Sequence, residues 1–211
     1  NDQLATLATR SASAVLLSSN SLPSDRSVVS IGDARIIRVD AQLSRLATDA
    51  LQAPTVLEAE ADLQRAQGII NLQVGKTPPN FTMNKWDGGT LDLMQTAQAN
   101  KYTLVMFWAS WCHKCEQEIP NLVPMYKEYN SRGFGLIGIS VDQQKAAWTK
   151  AIADNQIPWS NVSQLKGWDA PITDDYKITQ TPTYFLLDKE GKIVLKPERW
   201  FEIQRFLQAR I

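Results

Sequence analysis

The sequence lacks aromatic residues over its first 80 positions, since all 18 Phe, Trp and Tyr residues lie between Phe81 and Phe206. Lysine is also absent before Lys76. A chain of 211 residues has room for one large domain, or for one domain with an appendage. Because bulky side chains supply much of a core, the uneven distribution predicts a separate N-terminal region over residues 1–70. The folded domain is then expected over residues 71–211.

The chain also lacks net charge, with 22 basic and 22 acidic residues, which removes the electrostatic case for a nucleic-acid partner. It has only two cysteines, Cys112 and Cys115, and one histidine, His113. A framework of several disulfides is therefore excluded. A metal site of three or four Cys and His ligands could draw only on these three residues, so we predict none.

Long apolar runs are missing too. No stretch reaches the 18 residues of a membrane span. The sequence does not begin with a basic segment followed by an apolar one, so we expect any targeting segment to have been removed or to lie upstream of residue 1.

The N-terminal region contains two Ala/Leu-rich stretches with helical spacing, Ala41–Leu51 and Thr55–Ile70, which are separated by Pro54. They predict two amphipathic helices, after a short strand at Ala34–Val39. Without aromatic side chains these helices would form only a thin core, so they should pack on the rest of the chain or on a partner. Three roles stay open: a dimerisation element of a homodimer, a membrane-proximal spacer, and a cap on the domain.

The second part of the chain alternates between two hydrophobic patterns. Four apolar runs of β type predict strands, at Tyr102–Phe107, Phe134–Val141, Thr183–Asp188 and Lys192–Leu195. Three stretches with helical spacing predict helices, at Cys112–Arg132, Gln144–Asn155 and Trp200–Ile211. The resulting order β–α–β–α–β–β–α implies an α/β fold in which helices cover both faces of a mixed sheet.

The two cysteines lie where the first of these strands passes into the first helix. Cys112 would occupy the helix N-terminus, where unpaired N–H groups and the positive end of the helix dipole stabilise a thiolate. Lys114, and His113 when protonated, would add positive charge. Cys115, one turn later, should be more buried and placed to attack a mixed disulfide formed by Cys112. Because a four-residue ring gives little chain-entropy stabilisation, the spacing favours reversible redox chemistry.

The segment FWASWCHKCEQEIP, Phe107–Pro120, resembles the active-site region of thioredoxin-fold thiol–disulfide oxidoreductases, above all their exported TlpA/ResA-like branch. Two further segments carry the resemblance: VGKTPPNFTM, Val74–Met83, and TPTYFLLDKEGKI, which begins at Thr181. The likeness covers roughly Val74–Ile211. It implies a thioredoxin-like α/β fold, with the small and mainly helical N-terminal region preceding it.

Site residues follow from the same resemblance. It implies catalytic roles for Cys112, Cys115 and Glu118, because Glu118 stands where the branch has its active-site glutamate. Thr181 and Pro182 match the loop whose proline is cis and faces the disulfide, which implies a substrate-binding role.

Two departures from the family bear on the chemistry. Lys114 stands where the family usually has proline, and Met106 stands where plain thioredoxins have a buried aspartate. Because methionine cannot accept a proton, Glu118 is the candidate acceptor for the proton of Cys115. Trp111, His113 and Lys114 are expected to tune the active site, and Trp111 should border the disulfide and report its state by fluorescence.

The function implied by the resemblance is thiol–disulfide exchange with protein substrates, without an organic cofactor or metal, and with a partner redox protein that supplies or accepts the electrons. The implied setting is extracytoplasmic and bacterial, in the periplasm or at the outer face of the cell membrane. A membrane tether upstream of residue 1 stays open. A reductive role in cytochrome c maturation, or toward other exported thiols, would fit the branch.

Two alternatives remain at this point. A peroxidase of the peroxiredoxin type shares the broad fold, although its peroxidatic cysteine normally lies in another local motif without a CxxC partner. A thioredoxin-fold module that binds a peptide or a metal without turnover is the other.

Overall fold

A computed structural model describes residues 56–211 of the chain. Its helices are α1 (Val56–Ile70), α2 (Leu93–Gln98), α3 (His113–Tyr129), α4 (Lys145–Asp154), α5 (Pro171–Asp175) and α6 (Trp200–Gln208). Its strands are β1 (Thr82–Asn84), β2 (Thr90–Asp92), β3 (Tyr102–Trp108), β4 (Phe134–Ser140), β5 (Ser160–Ser163), β6 (Thr183–Asp188) and β7 (Ile193–Leu195). Short 3-10 turns lie at Asn130–Arg132 and Gly167–Asp169.

Five of the strands form one mixed sheet in the order β5-β4-β3-β6-β7, and β1 and β2 form a separate hairpin. β3 runs parallel to β4 and antiparallel to β6. In this register Trp108 pairs with Ser140, and Phe107 pairs with Thr183. Three segments therefore meet at the same end of the sheet: the residues after β3, the residues after β4 and the residues before β6.

The central strand β3 is buried on both faces, which explains its uninterrupted apolar run. Leu104, Met106 and Trp108 belong to the core cluster that also contains buried side chains of α3, α4 and α6. Val105 and Phe107 belong to the cluster on the other face, which contains buried side chains of the β1–β2 hairpin, α2 and α5. The predicted mixed sheet with helices on both faces is confirmed.

The predicted elements differ from the observed ones mostly at their ends. The predicted helix from Cys112 to Arg132 ends as an α-helix at Tyr129, and its last three residues form a 3-10 turn. The closing helix ends at Gln208, three residues before the predicted boundary. The helix predicted over Thr55–Ile70 is α1.

Several short elements were not predicted. β5 has the sequence SNVS, with Val162 as its only apolar residue, so it shows no hydrophobic pattern. The strands β1 and β2 have three residues each, and the helices α2 and α5 have six and five. Such lengths are too short for a period to be read from one sequence.

Part of the prediction falls outside the described residues, namely the strand at Ala34–Val39 and the helix at Ala41–Leu51. The division between residues 1–70 and 71–211 stays a prediction. Among the helices of residues 56–211, none combines the length and the apolar character that crossing a bilayer requires.

Candidate active site

Cys112 and Cys115 form a disulfide at the junction of β3 and α3, with their Cα atoms 5.2 Å apart. Cys112 is the N-cap of α3, and its Sγ accepts a hydrogen bond of 3.1 Å from the backbone N–H of Cys115. Cys112 retains 5% of its surface exposed, whereas Cys115 retains none. The sulfur that faces the N–H groups of the helix is therefore also the one that a substrate can reach.

Asp142 forms hydrogen bonds with Ser110, in the segment that leads into the cysteines. It lies two residues after the end of β4 and is 1% exposed. Its carboxylate accepts hydrogen bonds from the Ser110 backbone N–H at 3.0 Å, the Ser110 hydroxyl at 2.6 Å and the Ser140 hydroxyl at 2.7 Å. Sequence analysis missed Asp142. The available signal was an acidic residue placed at the carboxyl end of a predicted parallel strand, which is where sites of such sheets form.

Glu118 lies three residues after Cys115 on α3, one turn along the same helix face. Its side chain is 3% exposed and has three hydrogen-bond donors around it. Arg199 Nε donates to Oε1 at 2.7 Å, while the Trp200 backbone N–H at 2.7 Å and the Tyr184 hydroxyl at 3.3 Å donate to Oε2. Both carboxylate oxygens of Glu118 therefore act as hydrogen-bond acceptors.

Tyr184 takes part in this network as a donor. Burial raises the pKa of its hydroxyl, and the nearby negative charge of Glu118 and their hydrogen bond raise it further. Tyr184 therefore keeps its proton throughout the neutral range and donates to the carboxylate.

Thr181 and Pro182 are joined by a cis peptide bond, as the resemblance implies. Both line a pocket of about 490 Å³ whose walls include Lys114, Glu118 and Arg199. Lys114 lies between the two cysteines in the chain, although neither cysteine is among the residues that line this pocket. The structure thus brings the predicted substrate loop, Lys114 and Glu118 together, and it adds Arg199, which sequence analysis did not identify.

Trp111 lies on another pocket, with a volume of about 380 Å³. Its side chain is 57% exposed, and its ring centroid lies 6.1 Å from that of Trp168. The pocket is also lined by Val141 and Ala147, so an apolar surface continues from the residue before Cys112.

His113 is 81% exposed at its side chain. Within residues 56–211, its polar contacts are with Glu116 and Gln117 of its own helix, each at 3.3 Å. A direct contact between the imidazole and Cys112 is not among them, so any tuning by His113 acts through its charge. No cluster of three or more His, Cys, Asp or Glu suited to a metal ion occurs in this part of the chain.

Comparisons with known proteins agree with this geometry. The AhpC/TSA family matches residues 74–196. Thiol-disulfide oxidoreductase ResA from a strain of Bacillus cereus is 30% identical over 125 residues, which cover 59% of this chain and 69% of the relative. The protein of the same name from Bacillus subtilis (strain 168) is 27% identical over 127 residues, covering 60% and 68%.

The solved structures extend the agreement to the fold. A thiol:disulfide interchange protein from Bacteroides sp. superposes with a TM-score of 0.60 at 30% identity, covering 67% of this chain and 91% of that protein. Three observations agree on the family and its activity: the fold, the CxxC pair at the start of α3 and the sequence relatives. The chain belongs to the AhpC/TSA family and is a thioredoxin-fold thiol–disulfide oxidoreductase.

Proposed function

We propose that the chain is an extracytoplasmic reductant of protein disulfides in which Cys112 attacks the substrate and Cys115 resolves the intermediate. The observation that carries this proposal is the hydrogen bond from the Cys115 N–H to Cys112 Sγ at 3.1 Å, at the start of a 17-residue helix. Helix N-termini favour a thiolate over a thiol. The complete burial of Cys115 supports its role as the resolving thiol, which reacts only after Cys112 has formed the mixed disulfide.

The reaction has two exchanges. The Cys112 thiolate attacks a substrate disulfide, so that a bond forms between Cys112 Sγ and one substrate sulfur while the other leaves as a thiolate. Cys115 then gives up its proton and attacks Cys112 Sγ, which releases the second substrate thiolate and closes the Cys112–Cys115 disulfide. Two electrons pass to the substrate, and a partner redox protein restores the dithiol.

Glu118 is the proposed acceptor of the Cys115 proton. It lies one turn from Cys115 on the same helix face, and its three hydrogen-bond partners are all donors. This arrangement fixes the carboxylate in position, and a carboxylate oxygen can accept a proton. A base is needed when Cys115 must ionise to resolve a mixed disulfide, so the environment of Glu118 supports the reducing direction.

The proposed substrate site is the groove at Thr181 and Pro182. Lys114, the residue before Cys115, lies on its wall, and the volume of about 490 Å³ is large enough to take an extended segment around a cysteine. Lys114, exposed on its wall, would add positive charge beside the Cys112 thiolate and so help to tune it, as would His113 when protonated. Trp111 would offer an apolar contact on the other pocket.

The proposed setting is outside the bacterial cytoplasm, in the periplasm or at the outer face of the cell membrane. It rests on the resemblance to the exported branch and on bacterial relatives named ResA. Protein thiols of exported proteins, including those of cytochrome c maturation, would be the substrates. A tether upstream of residue 1 and a homodimer formed through residues 41–70 stay predictions.

Trapping of the intermediate tests the order of attack. Reduced Cys115→Ser should form a stable mixed disulfide with insulin, detected by mass, because no second thiol can release the substrate. Reduced Cys112→Ser, the matched control, should trap far less, because Cys115 is buried. Preferential trapping by Cys112→Ser would reverse the assigned roles. If the wild-type chain does not reduce insulin and Cys115→Ser does not trap it, the interpretation as a non-catalytic binding module is favoured instead.

A further inference from the structure

We propose that Arg199 is a positioning residue for the resolving step, because it holds the carboxylate of Glu118, which lies one helical turn from Cys115. This inference rests on the proton-acceptor role proposed above for Glu118. Arg199 lies 81 residues after Glu118 in the chain, so only the fold brings them together.

The ion pair joins a buried anion to a partly exposed cation. The side chain of Glu118 is 3% exposed and that of Arg199 is 55% exposed, with Nε and Oε1 2.7 Å apart. Removing the partner of a buried charge is costly, because the charge that remains has no compensation. Arg199 is the one cation paired with Glu118 among the described residues.

The two oxygens of the carboxylate have different anchors. Oε1 is held by Arg199, whereas Oε2 is held by the Trp200 backbone N–H at the start of α6 and by the Tyr184 hydroxyl. Contacts from α6 and β6 thus fix both the place and the rotation of the carboxylate. Loss of Arg199 frees Oε1 alone, so the group would keep its site but lose its orientation and its counter-charge.

The start of α6 has backbone anchors that do not involve the Arg199 side chain, whose contact with this helix is the Phe201 ring, 5.9 Å from the guanidinium carbon to the ring centroid. Glu202 Oε1 accepts hydrogen bonds from the backbone N–H groups of Glu198 at 3.2 Å and Arg199 at 3.1 Å. A substitution at position 199 leaves these backbone donors in place, provided that the new residue is not proline. The helix should therefore still begin at Trp200, which makes Arg199→Gln a clean test of the side chain.

If Arg199 positions Glu118, its substitution should slow the second exchange, resolution by Cys115, and leave the first exchange, attack by Cys112, unchanged. Attack by Cys112 needs no proton acceptor for Cys115, whereas resolution by Cys115 does. Substitution of Arg199 should therefore slow resolution and let the mixed disulfide accumulate, while the first exchange continues at its usual rate. A residue that only tied α6 to α3 would affect both exchanges or neither.

The experiment follows both exchanges with the full chain reacting with insulin, quenched by alkylation, at several pH values. For Arg199→Gln we expect attack within about twofold of wild type and resolution about tenfold slower. Arg199→Lys should restore most of the rate, since it keeps the positive charge.

Arg205→Gln is the matched control, because Arg205 is an exposed arginine on the same helix and is not among the partners of Glu118. It should behave as wild type. In a Glu118→Gln background, adding Arg199→Gln should slow resolution no further, because both substitutions act on one group.

Wild-type resolution by Arg199→Gln at every pH would overturn the inference and leave the proposed function intact. Equal slowing of both exchanges together with a lower free energy of unfolding would overturn it too, since that is the pattern of a structural tie. Absence of exchange in the wild-type chain would instead overturn the proposed function.

Discussion

Replacing Asp142 with asparagine should loosen the segment that carries the two cysteines. The carboxylate is 1% exposed, and it accepts three hydrogen bonds from Ser110 and Ser140. Asparagine has nearly the same shape, but one of its two terminal groups is a donor. The amide NH2 cannot accept, so the Ser110 hydroxyl would have to turn and accept from it, and all three bonds would lose their charged acceptor.

The magnitude follows from which donors share an oxygen. Oδ2 serves both the Ser110 backbone N–H and the Ser140 hydroxyl, while Oδ1 serves the Ser110 hydroxyl. A hydrogen bond to a charged group contributes about 1.5–3 kcal/mol and one between neutral groups about 0.5–1.5 kcal/mol, so each of the three bonds weakens by about 1 kcal/mol. We expect Asp142→Asn to lower the free energy of unfolding by about 3 kcal/mol and the Tm by roughly 6–12 °C. Ser110→Ala, which removes one bond to the carboxylate, should cost about 1.5–3 kcal/mol.

Urea unfolding followed by circular dichroism measures these differences. Asp169→Asn is the control, because Asp169 is exposed and should change stability by no more than about 0.5 kcal/mol. Insulin reduction below the unfolding transition should also be slower for Asp142→Asn, since Ser110 precedes Trp111 and Cys112. If Asp142→Asn unfolds at the same urea concentration as Asp169→Asn, the buried hydrogen bonds do not stabilise the segment and the reasoning is refuted.

Other substitutions test separate parts of the structure. Trp111→Phe should remove most of the change in tryptophan emission on reduction, whereas Trp86→Phe should keep it; the reverse would mean that Trp111 does not border the disulfide. Gly138→Ala should cost about 1–3 kcal/mol in urea unfolding, because a Cβ there would overlap Asn161 Oδ1; a neutral result would contradict that packing. Burial raises the pKa of Tyr176 above its ordinary 10.0, so the folded state keeps a proton that the unfolded state loses. The contribution of Tyr176 to the free energy of unfolding is therefore complete below about pH 10, and it falls as the pH rises further. Tyr176→Phe should flatten that alkaline decline, and an unchanged slope would argue against it.

The parts of the fold that could be predicted are those whose burial leaves a pattern in the sequence. β3 is an unbroken apolar run because both of its faces are covered. β5 could not be predicted, since its buried Asn161 looks like a surface residue. The structure accommodates it because its amide oxygen accepts a hydrogen bond of 3.0 Å from the indole N–H of Trp108, 53 residues away.

The residues of the site also divide into those that a local sequence pattern marks and those that only the fold brings together. Cys112, Cys115 and Pro182 belong to local motifs, and the resemblance assigns them at once. Arg199 and Tyr184 reach Glu118 across 81 and 66 residues, so no local pattern marks them. Their place depends on the antiparallel entry of β6 beside β3 and on the helix that follows β7.

The equilibrium redox potential of the Cys112–Cys115 pair decides whether the chain is a reductant. It can be measured in glutathione or dithiothreitol buffers, with tryptophan emission as the signal and alkylation mass as the check. Thioredoxin-fold pairs span about −270 mV for reductants to about −120 mV for strong oxidants. A reductant of protein disulfides should titrate reversibly, with a potential below about −200 mV. A value near about −120 mV, or a pair that does not equilibrate with the buffer, would contradict a reductant of protein disulfides.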